Sequence, residues 1–290
     1  MIPPILKEYI HNRLDEHAPS GLILKTHPVS GGDINDAYRL ECERRSFFVK
    51  INSAHTFPGM FEKEAKGLHL LRRHSGFKIP EVIEAGQFDN YAFLILQYLP
   101  SGKSTGAFWK NFGVLLAQMH QVSQEQFGLD HANYIGKLPQ VNRWHDKWST
   151  FFAQERILPQ WWHARQNGHF SSKDEQRLEA LLQNLENLVP VEPPALLHGD
   201  LWSGNYLPFA ERQPALIDPA VYYGHREMDI AMMHLFGGFP RELFRAYNEE
   251  YPLEKGWQQR LDIHNLYPLL VHVNLFGGGY AGEVSRILNR

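Results

Sequence analysis

The stretch 196–218 carries an acidic side chain, an amide five residues later and a second acidic side chain further on; these are Asp200, Asn205 and Asp218. A carboxylate such as that of Asp200 can accept the proton of a substrate hydroxyl group. The oxygens of Asn205 and Asp218 are hard ligands of the kind that Mg²⁺ takes when it is bound to nucleotide phosphates. A His-x-Asp loop followed by Asn and a downstream Asp is typical of kinases. The pattern therefore predicts phosphoryl transfer.

Short elements are expected to position this loop. Leu196 and Leu197 lead into it and predict the end of a buried strand. The runs 206–208 and 215–217 predict a hairpin that brings Asp218 back towards the loop. The alternative is a buried loop whose Asp and Asn make only turn hydrogen bonds. That alternative fits a single Asp better than it fits the whole set.

A lysine in the first part of the chain extends the pattern. Lys50 lies in the apolar run 47–51, which predicts a strand, and the amphipathic segment 60–74 predicts a helix after it. Kinases hold the α- and β-phosphates with a strand lysine that a helix glutamate orients. Glu64 begins the apolar face of the helix and is the expected partner, with Glu62 as the alternative. A lone lysine in a strand is otherwise an edge or surface residue.

A turn rich in small residues, 30–35, separates the first two predicted strands. Its Gly31 and Gly32 could bring main-chain amides close to phosphates, although an ordinary hairpin turn is the alternative. The turn lacks the G-x-G-x-x-G pattern of protein kinases. It therefore supports a nucleotide site only together with Lys50.

The remaining pattern predicts two parts, a small β-rich one and a larger helical one. Residues 1–98 contain a first helix with Ile5, Ile10 and Leu14 on one side. The predicted strands that follow are 22–29, 37–42, 46–51, 81–88 and 91–98. Residues 99–290 are predicted to be mainly helical, in the segments 104–121, 143–166, 172–185, 228–236, 240–251, 257–276 and 280–288. The fold class is therefore α+β, with a nucleotide-binding lobe (1–98) and a catalytic and substrate-binding lobe (99–290).

Several details of the helical part are also expected. Ser104 is predicted to cap the first helix of this part, and Ser172 with Glu175 is predicted to form a capping box. Pro159 is expected to kink or divide the segment 143–166. The tetrapeptide Leu-Phe-Gly-Gly occurs at 235 and at 275 and indicates two similar helix ends.

The composition limits the class of protein. The chain has 290 residues, 43% of them apolar and 21% charged, and a net charge of −3, which gives no electrostatic case for nucleic-acid binding. Its one cysteine, Cys42, fits a reducing compartment. The sequence contains neither a run long enough to span a membrane nor a signal-peptide pattern. We expect a soluble cytoplasmic protein, and the oligomeric state remains open.

Two other functions fit the sequence less well. A two-metal phosphoesterase needs clustered His and Asp ligands. The 16 histidines show no H-E-x-x-H motif, and the D-x-H at 262–264 comes far too late. A nucleotide-binding pseudokinase is disfavoured because Lys50, Asp200, Asn205 and Asp218 are all present.

The sequence resembles the fructosamine (ketosamine) kinases, within the aminoglycoside-phosphotransferase branch of the protein-kinase-like fold. The resemblance is carried by His-Gly-Asp-Leu-Trp-Ser-Gly-Asn at 198–205 and by Ile-Asp-Pro-Ala-Val-Tyr-Tyr-Gly-His-Arg-Glu at 217–227. It implies a bilobal fold and an ATP- and Mg²⁺-dependent kinase that phosphorylates the sugar 3-hydroxyl of a ketosamine, a step in the repair of glycated amines. Another kinase of the aminoglycoside, choline or homoserine type is the alternative.

By position, the resemblance implies Asp200 as the catalytic base and Asn205 with Asp218 as the Mg²⁺ ligands. It implies Lys50 and Glu64 as the pair that holds the phosphates. It also implies a hinge whose main chain meets adenine, formed by Gln97, Tyr98 and Leu99.

The expected substrate contacts are Trp202 and Glu227. The Trp202 indole could stack on a sugar ring beside the base, or it could pack under the loop. Glu227 or Asp229 could contribute negative charge beside a cationic amine, although Asp229 is expected to brace the loop. Some relatives carry a cysteine in the nucleotide loop that links two subunits. The 30–35 turn has none, so redox control by that route is not expected.

Overall fold

The computed structural model describes residues 2–18, 20–29, 35–210 and 213–290. Within them the chain forms a smaller lobe around an antiparallel sheet and a larger, mainly helical lobe. The predicted turn at Gly31 and Gly32 lies outside the described residues. The strands of the sheet are β1 (Ile23–Pro28), β2 (Asp36–Cys42), β3 (Ser46–Ser53), β4 (Val82–Phe88) and β5 (Tyr91–Gln97), in the order β1-β2-β3-β5-β4.

A helix covers each face of this sheet. Alternate residues of a strand point to opposite faces, so the apolar strand β5 contributes to two cores. Phe93 packs with α1 (Pro4–His17), whereas Leu94 packs with α2 (Met60–His74). Lys50 stands directly opposite Leu94 in the β3–β5 ladder. The ammonium group of Lys50 therefore lies on the face that α2 covers.

The larger lobe is built from helices packed around an apolar core that continues into the smaller lobe on the α2 side of the sheet. They are α3 (Gly106–His120), α4 (Trp148–Phe151), a π-helix (Phe152–Ile157), α5 (Leu158–Gln166), α6 (Ser172–Gln183), α7 (Leu185–Leu188), α8 (Glu227–Phe236), α9 (Arg241–Glu250), α10 (Trp257–Phe276), a 3₁₀-helix (Gly278–Tyr280) and α11 (Ala281–Leu288).

Three short antiparallel strand pairs lie among these helices. They are β6 (Asn133–Ile135) with β7 (Leu138–Gln140), β8 (Ala195–Leu197) with β11 (Tyr222–Gly224), and β9 (Tyr206–Ala210) with β10 (Gln213–Leu216). The pair β8–β11 is buried throughout. The loop after β8 therefore begins at this buried strand pair, and the segment between β10 and β11 ends at it. These two connections contain Asp200, Asn205 and Asp218.

Main-chain bonds join the two lobes. The Lys78 N–H donates to Pro214 O, and the Leu216 N–H donates to Lys78 O, both at 3.0 Å. Closer to α2, a Cβ added to Gly67 would lie 3.1 Å from the Val221 side chain. The helix that carries Glu64 is therefore packed tightly against the segment that follows Asp218.

The helix caps differ from the predicted ones by one residue. The hydroxyl of Thr105, not that of Ser104, accepts the Phe108 N–H at the start of α3. The capping box of α6 is formed by Ser171 and Asp174, not by Ser172 and Glu175. In both cases neighbouring residues could serve as caps, and the extended backbone at Thr105 and Ser171 decides between them.

Other local expectations also need correction. Ile5 is 63% exposed, and Leu6 is the buried residue of α1 beside Ile10. The segment predicted as helical from residue 143 begins at Trp148, and a π-helix divides it, while Pro159 lies in the first turn of α5. The short strands β6, β7 and β11 were not predicted. Strands of three residues are too short to show a clear hydrophobic period.

In the described part of the chain, no helix combines the length and the apolar character that crossing a membrane would need.

The Cys42 side chain is buried in β2, and burial raises the pKa of its thiol. A thiol with these properties is a poor target for oxidation.

Candidate active site

The loop after β8 brings Asp200 and Asn205 together. The Asn205 side-chain amide donates to Asp200 O at 2.8 Å and to Asp200 Oδ2 at 3.0 Å. Because a main-chain carbonyl oxygen only accepts, the first of these bonds fixes the orientation of the amide. The Asn205 Oδ1 therefore points away from these contacts and remains available as an oxygen donor.

Gly199 allows the loop to approach the segment after Asp218. Its φ is +80°, in the left-handed region, and an added Cβ would lie 2.1 Å from Ala220 O. Only glycine meets both conditions without strain. The backbone conformation and the close contact with Ala220 therefore require glycine at position 199.

Asp229, at the start of α8, braces the same loop from behind. Its carboxylate accepts the N–H groups of His198 at 2.8 Å and Gly199 at 3.0 Å, and it lies 3.2 Å from His120 Nε2. Burial alone would raise the pKa of Asp229, but the hydrogen bond from His120 and the neighbouring histidines lower it. Asp229 therefore has the bracing role expected from the sequence.

The surroundings of Asp200 change its acidity. Burial raises the pKa of Asp200 to about 7, against the opposing effect of the hydrogen bond from Asn205. The negative charges of Asp218 and Asp229 raise it further. A carboxylate with a pKa near neutrality accepts a proton more readily than an ordinary one.

Lys50 links the two lobes through its ammonium group. Its Nζ lies 2.8 Å from Glu64 Oε1 and 2.7 Å from Asp218 Oδ1. Burial alone would lower the pKa of Lys50, but the charges of Asp218 and Glu64 raise it above its ordinary value. Between the two candidates on α2, the structure pairs Glu64, and not Glu62, with Lys50.

Asp218 is held in an uncommon backbone conformation. Its φ is +54°, which is rare for residues other than glycine, and its side chain is 41% exposed. Oδ1 of Asp218 binds Lys50, whereas Oδ2 of Asp218 and Oδ1 of Asn205 make no bond within the described ranges. Carboxylate and amide oxygens of this kind fit a hard divalent cation such as Mg²⁺.

These side chains line one cavity between the lobes, with a volume of about 700 Å³. The predicted site residues in its wall are Lys50, Glu64, Asp200, Trp202, Asn205 and Asp218. The turn between β6 and β7 contributes Gly136 and Lys137, and α10 contributes Tyr267. Residues from both lobes and from the loop after β8 therefore face the same space.

An aromatic wall forms part of the cavity: Phe236, His272, Phe276 and Tyr280. The His272 ring centre lies 4.7 Å from that of Phe236, 5.4 Å from that of Phe276 and 5.0 Å from that of Tyr280. This wall was not predicted from the sequence. The repeated Leu-Phe-Gly-Gly was its signal, because each copy ends a helix with a phenylalanine of the wall.

The predicted hinge lies outside the cavity wall. The Gln97 N–H donates to Glu81 O at 2.8 Å, and the Tyr98 N–H donates to Ser46 O at 3.4 Å. Leu99 is buried. None of the three is among the described residues that line the cavity, so their contact with adenine stays a prediction.

Trp202 has features of both of its predicted roles. Its indole packs over Gly204, where an added Cβ would lie 2.2 Å from the ring. It also lines the cavity and is 38% exposed. Packing against Gly204 therefore holds the ring in place without burying it.

Glu227 lies where it cannot meet a substrate directly. It is fully buried outside the cavity wall, and its carboxylate binds Arg260 at 2.5 and 2.8 Å and His264 Nε2 at 3.1 Å. Burial alone would raise the pKa of Glu227, but the bonds from His264 and Arg260 lower it to about 2. The expectation of a substrate contact here needs correction, because the carboxylate is used to join α8 to α10.

The fold also assembles a cluster that the sequence does not reveal. The possible ligand atoms of His225, Glu227 and His264 lie within 4.8 Å of one another. The Arg260 guanidinium occupies both Glu227 oxygens. A cation in this position would meet a fixed positive charge, so the cluster is part of the core.

The fold defines the class of the protein. Over 97% of this chain and 98% of the other, it is similar to an aminoglycoside phosphotransferase solved as a ternary complex with AMP-PNP and hygromycin B, with a TM-score of 0.67 and 17% identity. A likeness at this identity establishes the fold alone. The chain therefore has the bilobal protein-kinase-like fold that its sequence predicts.

The family follows from closer relatives. A family model of fructosamine kinases matches residues 7–290. A Vibrio parahaemolyticus protein named a probable ketoamine kinase is 42% identical over 266 residues, which cover 90% of each chain. A Thermobifida fusca structure named a putative fructosamine-3-kinase is 35% identical, with a TM-score of 0.86 over 96% of each chain. This protein belongs to the fructosamine kinase family, which confirms the resemblance seen at 198–205 and 217–227.

Proposed function

We propose that this protein transfers the γ-phosphate of ATP to the sugar 3-hydroxyl of a ketosamine. The class includes fructosylamines, ribulosylamines and glycated lysine. The observation that carries the proposal is the shared cavity of Asp200, Asn205, Asp218 and Lys50 in a member of the fructosamine kinase family. Phosphoryl transfer depends mainly on positioning and charge neutralisation, and these side chains supply both.

Asp200 is the proposed catalytic base. Its carboxylate accepts the proton of the sugar hydroxyl as that oxygen attacks the γ-phosphorus atom, and ADP leaves. The amide of Asn205 and the main-chain bonds to Asp229 hold the carboxylate in place. A pKa of about 7 suits a base that works near neutral pH.

Asn205 Oδ1 and the Asp218 carboxylate are the proposed Mg²⁺ ligands. When bound, the ion would supply positive charge that neutralises the phosphates. The Lys50 ammonium, oriented by Glu64, would contact the α- and β-phosphates. The main chain of Gln97, Tyr98 and Leu99 would meet adenine, with Gly31 and Gly32 near the phosphates.

The acceptor is proposed to bind beside Trp202 and the aromatic wall. A sugar ring offers C–H groups that pack on an indole face, and Trp202 follows the base by two residues. The amine of a ketosamine is cationic, and aromatic faces such as those of the wall attract cations. The site therefore suits a sugar joined to an amine.

The proposed role is the repair of glycated amines in the cytoplasm. A ketosamine 3-phosphate is expected to be labile and to release the sugar, which leaves the free amine. Small ketosamines and glycated lysine are both proposed substrates of this kinase activity.

The test is a product assay. Purified protein is incubated with ATP, Mg²⁺ and a fructosylamine, and the sugar phosphate is located by nuclear magnetic resonance. We expect a 3-phosphorylated sugar and released amine. Parallel reactions contain an aminoglycoside, choline or homoserine.

The outcomes test the substrate class, the phosphorylated position and catalysis separately. If an aminoglycoside, choline or homoserine is phosphorylated and the fructosylamine is not, the proposed ketosamine specificity is refuted. The protein would then be a kinase of another specificity. Phosphate at a different hydroxyl would refute the 3-position alone. Nucleotide binding without any phosphorylated product would indicate a pseudokinase.

A further inference from the structure

Two buried side-chain amides bind the main chain just after Asp218. Asn133 is 5% exposed and Gln140 is 2% exposed. The Gln140 amide donates to Ala220 O at 3.2 Å, and the Asn133 amide donates to Val221 O at 2.8 Å. These carbonyl groups follow Asp218 by two and three residues. The β6–β7 hairpin, which carries both amides, is thus bonded to the segment of the proposed metal ligand.

Other donors fix the direction of these bonds. Arg156 only donates, and its Nη2 lies 2.6 Å from Asn142 Oδ1, so the Asn142 amide donates to Asn133 Oδ1 at 2.9 Å. Gln140 Nε2 also donates to Asn133 Oδ1, at 2.7 Å, and the Tyr267 hydroxyl donates to Gln140 Oε1 at 2.6 Å. Neither Asn133 nor Gln140 can turn its amide over without losing bonds to buried partners.

Asp218 needs such support because of its backbone conformation. A left-handed φ in a residue other than glycine persists only where the surroundings determine it. The loop after β8 supplies bonds on both sides. The Ile217 N–H donates to Asn205 O at 3.1 Å, and the Ala220 N–H donates to His198 O at 2.9 Å. Further along the chain, the carbonyl groups of residues 220 and 221 accept hydrogen bonds from the two amides.

We propose that Asn133 and Gln140 are positioning residues for Asp218. They hold the chain after Asp218 so that its carboxylate keeps the direction needed for a metal ion bound with the nucleotide. They act through the main chain and do not touch the ion. The inference rests on the proposed role of Asp218 and adds the element that maintains it.

The test measures metal binding without the acceptor. Mn²⁺ affinity is measured by electron paramagnetic resonance in the presence of AMP-PNP, for the wild type, Gln140→Met and Asn133→Ala. Loss of a group that orients a metal ligand typically weakens metal binding by about 10- to 100-fold, so we expect a loss of about 10-fold in each variant. The affinity for AMP-PNP without metal should stay close to that of the wild type.

Two variants separate positioning from stability. Asn274→Ala removes an amide of α10 whose bonds, at 2.7 and 2.9 Å, go to Gln160 on α5. It should lower the melting temperature without changing the Mn²⁺ affinity. Tyr267→Phe removes the hydroxyl that orients Gln140. It keeps the bonds from the Gln140 and Asn133 amides to the main chain, so its effect on Mn²⁺ affinity should be smaller than that of Gln140→Met.

The inference is overturned if folded Gln140→Met binds Mn²⁺ as the wild type does, or if Asn274→Ala weakens binding equally. If Asn133→Ala does not fold, Gln140→Met and Tyr267→Phe decide the question in the same way. A wild-type protein that binds no Mn²⁺ with AMP-PNP would refute the proposed role of Asp218 itself. Failure of the ketosamine assay would leave this result unaffected, because no acceptor is present.

Discussion

Asp200 and Asp218 share one cavity but have different partners. Asp218 lies 2.7 Å from the Lys50 ammonium, whereas Asp200 accepts a bond from the neutral amide of Asn205. Burial without a directly bonded cation raises the pKa of Asp200 to about 7. The difference favours a proton acceptor at Asp200 and a charged ligand at Asp218.

Replacement of the proposed base tests this assignment. Asp200→Asn keeps the size of the side chain but removes the proton acceptor, so turnover should fall by about 10²-fold or more. Binding of Mg·ATP should be retained, because Asp200 is not a proposed ligand. Circular dichroism and calorimetry serve as controls for folding and nucleotide binding. A folded variant with near-normal kcat would exclude Asp200 as the base.

Removal of the proposed metal ligands should have graded effects. Asp218→Ala should abolish activity at ordinary Mg²⁺ concentrations, since it removes the charged ligand. Asn205→Ala, which removes a neutral ligand, should reduce activity less. The Mg²⁺ dependence of turnover is measured for both, with Asp130→Ala, an 80% exposed side chain, as a control. Activity of Asp218→Ala, or wild-type activity in excess chelator, would contradict the assignment.

At the scale of elements, ionic bonds hold the helices behind the site. Glu227 on α8 binds Arg260 and His264 on α10, and its carboxylate is fully buried. Both helices end at the aromatic wall, with Phe236 and Phe276. The Glu227 contacts therefore fix the relative position of two helices that shape the cavity.

The pKa of Glu227 predicts how this link depends on pH. The value is lowered from 4.5 to about 2 in the folded protein, so the link stabilises the fold fully above pH 4.5 and is lost as pH falls towards 2. The shift corresponds to about 3 kcal/mol. Glu227→Gln should reduce the free energy of unfolding by about this amount at pH 7, and by less as the pH falls below 4.5.

Urea denaturation between pH 7 and pH 3 measures this difference. Glu186→Gln, at an exposed ion pair with Lys147, is the matched control and should have little effect at any pH. Equal stability of the wild type and Glu227→Gln at pH 7 would show that the link does not stabilise the fold.

The bounds of the elements show what local patterns determine. The segments 60–74 and 257–276 were predicted with the bounds that α2 and α10 have. Glycines with positive φ precede both helices. The buried residues of α2 recur at helical spacing, whereas those of α10 form a continuous run over 264–271. The predicted caps of α3 and α6 were wrong by one residue. Adjacent polar residues are equivalent as caps in the sequence, and only the backbone conformation distinguishes them.

At the scale of the whole molecule, the site exists only when the two lobes meet. Lys50 comes from the sheet, and Asp218 comes from the helical lobe, 168 positions later. A nucleotide in the cavity would contact both lobes and stabilise the folded state by mass action. The division of the chain at residues 98 and 99 stays a prediction.

This linkage predicts a thermal shift. At 100 times its dissociation constant, Mg·AMP-PNP should stabilise the wild type by about 2.7 kcal/mol, which raises Tm by several degrees. Lys50→Met should show a smaller shift at the same concentration, because it lacks the ammonium that holds the phosphates. Lys25→Met, the same change at an exposed position of the sheet, is the control. Equal shifts in Lys50→Met and the wild type would argue against phosphate binding by Lys50.

By itself, the sequence determined the features that depend on neighbouring residues. Hydrophobic spacing predicted most strands and helices, and the residue types at 198–205 and 217–227 indicated the chemistry and the family. Lys50 and Glu64 could be paired in advance because Lys50 lies in an apolar run and Glu64 begins the apolar face of the helix that follows.

Only the tertiary structure decided which distant residues meet. Glu227 was expected to contact substrate, yet Arg260 and His264 on α10 bind it in the core. The aromatic wall and the amides of Asn133 and Gln140 also depend on elements far apart in the chain. Contacts of this kind depend on packing between elements, and no local pattern of polarity or spacing specifies them.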